Sequence, residues 1–107
     1  MTNYLFIEAR DPFASRDTEF LEQTATALTL RGHPVTVFLV QNGVFAARKT
    51  TAGLQRLTNA GVILLADDFS LRERGIKAAE LAHGVQESGI NSLVDTITQP
   101  NTKAIWH

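Results

Sequence analysis

Short apolar runs rich in branched residues alternate along this chain with longer stretches of helical period. Tyr4 to Ile7, Val35 to Val40 and Val62 to Ala66 read as strands. Between the first two, Phe20, Leu21, Ala25 and Leu28 recur on one helical face, while Glu19, Glu22, Gln23 and Thr26 fall largely elsewhere. Ser15 or Asp17 is suited to cap this helix, and Arg31-Gly32-His33-Pro34 ends it. A shorter helix is expected to carry Leu54 and Leu57 and to close at Asn59-Ala60-Gly61. Ser70-Leu71-Arg72-Glu73 has the capping-box pattern and predicts a helix starting at Ser70, interrupted at Gly75. Lys77 to Ala82 adds a turn or two before His83-Gly84. Ile90 to Thr98 places Ile90, Leu93, Val94 and Ile97 on one side of a last helix, and Lys103 to Trp106 supplies a final edge strand.

This alternation is the pattern of a parallel sheet flanked by helices. Right-handed crossovers then bring the C-terminal ends of the strands to one edge, where open α/β sheets bind ligands. Three tips converge there: Glu8-Ala9-Arg10-Asp11, Gln41-Asn42-Gly43 and Asp67-Asp68. Each is also what a solvated strand-to-helix loop requires. Length sharpens the picture, since 107 residues with 44% hydrophobic content sustain one compact core, read as a single domain over residues 1–107. Ten basic and eleven acidic side chains are scattered, so there is no electrostatic footprint for nucleic acid or an anionic membrane. The start, Met1 to Ile7 followed by Glu8, has no basic leader and is too short for a signal peptide or membrane span, and a cytoplasmic setting is expected.

Chemistry is constrained most by the absence of cysteine, which removes disulfides, thiolate metal sites and persulfide formation within the chain. No cofactor is expected. His33, His83 and His107 lack metal-ligand spacing and read as structural or incidental. Arg48, Lys49, Arg72 and Arg74 carry the charge to gather an anion, although a solvated surface is their ordinary reading.

The run Val35-Thr36-Val37-Phe38-Leu39-Val40-Gln41-Asn42-Gly43-Val44 resembles the second strand and following turn of the DsrE/DsrF-like family. Phe13-Ala14-Ser15, Arg74-Gly75-Ile76, Leu93-Val94-Asp95 and Lys103-Ala104-Ile105-Trp106 resemble further segments of it. The resemblance implies a flavodoxin-like three-layer α/β sandwich with a mostly parallel sheet of about five strands and helices on both faces. It also implies a homo-oligomer, trimer or hexamer, and a sulfur-relay protein as partner. Family members with chemistry pass persulfide sulfur through a cysteine just after the third strand, a position that falls at about Asp67 by counting back from Arg74-Gly75. A carboxylate cannot form a persulfide.

Three readings stand. The chain is a non-catalytic binding or assembly subunit whose partner brings the thiol; or Asp67 and Asp68, with Asn42, Gly43 and Arg72 or Arg74, form a pocket for a small molecule or a hard cation such as Mg²⁺; or crowded carboxylates split their pKa values and one becomes a general acid or base. Asp67-Asp68 also has a purely local explanation, in which it ends the strand and favours the next helix's N-terminus. Trp106 is expected to cover the core; exposed together with Phe45 or Phe69 it would instead point to subunit contacts.

Overall fold

A computed structural model of the chain describes residues 1–14, 18–49 and 53–107. The proposed caps Ser15 and Asp17 lie outside the described residues. Five strands form one sheet: β1 (Asn3–Glu8), β2 (Val35–Leu39), β3 (Ile63–Asp67), β4 (Val85–Ser88) and β5 (Thr102–Trp106). Its order is β4-β3-β2-β1-β5, and every neighbouring pair is parallel. The helices are α1 (Thr18–Leu30), α2 (Gly53–Ala60), α3 (Asp68–Glu73) and α4 (Ile90–Ile97), with 3-10 segments at Gln41–Ala47 and Ala78–Glu80.

Register assigns the faces. Phe6 pairs with Val37 and Ile105, and Val37 with Leu64, so these side chains share one face. There they join Leu21 and Ala25 of α1, Leu54 and Leu57 of α2 and Leu71 of α3 in the larger core cluster. Ile7 pairs with Phe38 and Trp106, and Phe38 with Leu65, on the other face. The smaller cluster there is Leu5, Ile7, Phe38 and Val40 with Leu93 of α4. This division follows from handedness: strands added in one direction, β1 to β4, place their right-handed crossovers on one face, and the return to β5 places α4 on the other.

Helices therefore lie on both faces, but unequally. Across the α4 face Trp106 is 66% exposed and Ile63 55% exposed, and Ile90, Val94 and Ile97 of α4 are exposed as well. The single-sided apolar stripe expected of α4 is present, yet only Leu93 of it is buried. Trp106 does not cover the core, and Phe20, expected on the buried face of α1, is exposed, with its ring centre 5.9 Å from that of His107. β4 was not foreseen as a strand: it is a polar edge, Val85-Gln86-Glu87-Ser88, with only Val85 buried. Within residues 77–82 a single 3-10 turn forms, Ala78–Glu80, closed by Glu80 Oε1 accepting from the Lys77 N–H at 3.1 Å.

Candidate functional site at the strand tips

Asp67 ends β3 in extended backbone and becomes the N-cap of α3. Its Oδ2 accepts from the Ser70 backbone N–H at 3.0 Å and from the Ser70 hydroxyl at 2.7 Å. The Ser70 oxygen in turn accepts from the Gln41 N–H at 2.9 Å. The helix thus begins at Asp68 rather than at Ser70, because Asp67 satisfies the exposed N–H groups first. Both side chains are buried, Asp67 at 8% exposure, and their hydrogen bonds tie the third strand tip to the second. Asp68 faces the other way, half exposed, 3.7 Å from Arg72 in an i,i+4 ion pair. The two carboxylates are thus committed to different local partners.

Asn42 and Arg74 do come together. Asn42 Oδ1 accepts from Arg74 Nε and Nη2, each at 3.1 Å, and Arg74 Nη1 donates to the Ser70 carbonyl at 3.2 Å. Gly43 lies beneath them where the 3-10 segment crosses the end of β1. A Cβ there would collide with the Glu8 carbonyl oxygen and lie 3.0 Å from its carbon, so only glycine permits this approach. Arg72 remains an exposed neighbour of Asp68.

Two further residues join this edge: Arg48, which the sequence offers with Lys49, Arg72 and Arg74 as charge able to gather an anion, and Phe13. The Arg48 guanidinium lies 5.1 Å from the Phe45 ring centre and 5.7 Å from that of Phe13, and Arg74 lies 5.9 Å from Phe45. Loops after β1, β2 and β3 thereby meet at one place. Sequence signals for this were individually present, since Arg48 and Arg74 had been noted for their charge, but the aromatic spacers between them emerge only from the fold.

The other unforeseen pair is Glu8 with His107. Glu8 is 2% exposed at the tip of β1; Oε1 accepts from the Arg10 N–H at 2.9 Å, and Oε2 lies 2.6 Å from His107 Nδ1. His107 is not incidental: its N–H donates to the Ile7 carbonyl at 2.8 Å and its carbonyl accepts from Ala9, so it extends the β1–β5 pairing while its ring satisfies a buried carboxylate. Next to this pair a small recess of about 40 Å³, lined in part by Glu8, Arg10, Leu21, Glu22, Leu39 and Leu54, opens between α1 and the strand tips. Burial raises the Glu22 carboxyl above its ordinary value, the Arg56 guanidinium opposes this, and Glu19 adds to it. Among the described residues no group of three or more His, Asp or Glu side chains is placed to hold a metal ion, and no helix is long and apolar enough to cross a membrane.

Fold and edge together define a small, all-parallel α/β domain whose polar and aromatic side chains gather at the C-terminal strand tips. Solved structures similar to it share that fold: the ychN protein of E. coli matches at a TM-score of 0.90 with 18% identity, and the protein of unknown function MTH1491 of Methanobacterium thermoautotrophicum at 0.84 with 22% identity, each over 100% of both chains. The model of the DsrE/DsrF-like family matches residues 2–103, and the chain belongs to that family. No curated protein matches it.

Proposed function

We propose that this chain is a non-catalytic accessory subunit of the DsrE/DsrF-like family, related to intracellular sulfur-relay proteins, that assembles with copies of itself as a trimer or hexamer in the cytoplasm. The observation that carries the assembly is the α4 face of the sheet, where Trp106, Ile63, Ile90, Val94 and Ile97 are exposed around a single short helix. Apolar patches of this kind on small proteins mark contacts. A net charge of −1 sets little repulsion against self-association.

The accessory role is supported by what occupies the family's sulfur position. Asp67, at about that position by the count from Arg74-Gly75, is a helix cap with its acceptor oxygen committed to Ser70, and the chain contains no thiol to accept a sulfane sulfur. Sulfur handled by the assembly would reside on a partner's cysteine.

Native mass spectrometry and sedimentation at micromolar concentration test this reading. The expected result is a closed oligomer that dissociates in Val94→Asp or Trp106→Asp while the far-ultraviolet circular dichroism is retained. A monomer at all concentrations up to about 100 μM, a regime in which interfaces of standard size are populated, refutes it.

A further inference from the structure

Arg48 is the cation at the strand-tip edge whose surroundings are built rather than merely solvated. Its backbone is fixed by a short antiparallel bridge to Leu81: Lys49 N–H donates to the Glu80 carbonyl at 2.9 Å, and the Ala82 N–H to the Ala47 carbonyl at 2.7 Å. Its Nε donates to the Phe45 carbonyl at 3.1 Å. The rings of Phe13 and Phe45 both lie against the guanidinium. Phe13 is itself anchored, since its N–H donates to Asp11 Oδ1 at 2.9 Å, yet its ring is 68% exposed.

Stacking on aromatic rings strips water from the faces of a guanidinium and leaves its in-plane N–H edge to be satisfied. For Arg48 that edge is Nη1 and Nη2. Among the described residues no carboxylate lies within ion-pair distance of it; the ion pairs found involve Arg56, Arg72, Arg74 and His107. Arg74, by contrast, has its donors committed to Asn42 and Ser70, and adds a second positive charge against the same Phe45 ring. Two like charges on one ring, one with a two-pronged edge that no described carboxylate pairs with, favour an anion between or beside them. The exposed Phe13 ring supplies an apolar surface alongside.

We propose that Phe13, Phe45 and Arg48 form a binding site for a small molecule that carries an oxyanion on an aromatic body, the oxyanion held by Arg48 Nη1 and Nη2 and the aromatic body resting on Phe13. This goes beyond the assembly role and does not depend on it.

The probes are phenyl phosphate, benzoate and inorganic phosphate, titrated into the full chain and followed by calorimetry and by backbone amide shifts. Saturable binding of phenyl phosphate or benzoate is expected, about tenfold tighter than inorganic phosphate, with shifts centred on Phe13, Phe45, Arg48 and Lys49. The two aryl probes distinguish a phosphate from a carboxylate as the preferred head. Phe13→Ala, at an exposed ring, should abolish the aryl advantage and leave phosphate binding in place. Arg48→Lys, which keeps the charge but loses the fork, should weaken the aryl probes at least about fivefold. No saturable binding at millimolar concentration, shifts centred elsewhere, or equal affinity in Arg48→Lys overturns the proposal. Sedimentation of the same samples reports the oligomer independently, so failure of either idea leaves the other readable.

Discussion

Asp67→Ala separates a structural aspartate from a ligand-binding one. In the folded chain Asp67 Oδ2 receives two hydrogen bonds from Ser70, at 3.0 and 2.7 Å, in a site where both residues are buried. Removing an N-cap acceptor costs about 1 kcal/mol. The truncation also strands the Ser70 hydroxyl proton, because the same oxygen continues to accept from Gln41, and a buried unsatisfied donor costs about 1–2 kcal/mol more. The expected loss is therefore about 2–3 kcal/mol, equivalent to a fall in Tm of roughly 10–20 °C for a domain of this size. Asp67→Asn keeps a carbonyl acceptor and should lose less than half as much. Urea unfolding at fixed protein concentration measures both, and the double variant with Ser70→Ala gives the coupling, expected to be at least about 1 kcal/mol. If Asp67→Ala lies within about 0.5 kcal/mol of the parent, a difference typical of inert surface positions, the cap does not stabilise this helix and the argument fails.

Gly43→Ala should destabilise by at least about 2 kcal/mol, because the Glu8 carbonyl it meets is held by the Val40 N–H at 3.0 Å and cannot yield cheaply; denaturant midpoints check this. His107→Ala leaves Glu8 Oε2 buried without its partner and should cost about 1–3 kcal/mol, with amide exchange accelerated first in β5. The Glu22 carboxyl, raised mainly by burial, binds its proton more tightly in the folded than in the unfolded chain, so its contribution favours folding at low pH and declines as pH rises through the window just above 4.5. Glu22→Gln should remove that decline, seen as a flatter dependence of the urea midpoint on pH between 4 and 7; an unchanged slope contradicts it.

What was legible in the sequence was the part written locally. β1, β2 and β3 are mainly apolar runs, mostly buried apart from Ile63 at the start of β3, and their boundaries lie within a residue or two of the expected ones. β4 escaped because an edge strand needs only one buried side chain, and Val85 alone carries no period. The capping box at Ser70 misled by three residues: Ser70 takes the N3 position opposite Asp67 instead of the cap itself. Glu8 and His107 are 99 residues apart, and nothing in the local pattern says that β5 will lie beside β1. The same holds for Phe13, Phe45, Arg48 and Arg74, each ordinary alone and joined only by the convergence of three loops. Of the named site residues, Asn42 and Arg74 meet as hydrogen-bond partners, whereas Asp67 and Asp68 are adjacent in sequence and engaged with different groups.

Winding order also explains where assembly and binding can coexist. Five parallel strands span roughly 19 Å across at about 4.8 Å per strand spacing, whereas one helix is about 10 Å wide and the eight residues of α4 extend only about 12 Å. A single such helix can shelter about two strands, and the two it shelters are β1 and β2, whose Leu5, Ile7 and Phe38 are buried beneath it with Leu93. Trp106 on β5 and Ile63 on β3 flank the covered strip and stay exposed. The three crossovers on the opposite face leave no such gap, because Val44, Ala46 and Ala47 of the 3-10 segment complete that layer. Arg48 follows that segment directly, so the Phe13–Arg48–Phe45 stack is built from the helix-rich side of the sheet. An oligomer formed through the α4 face would therefore bury the apolar surface that the topology leaves open and keep the strand-tip cation accessible to ligand.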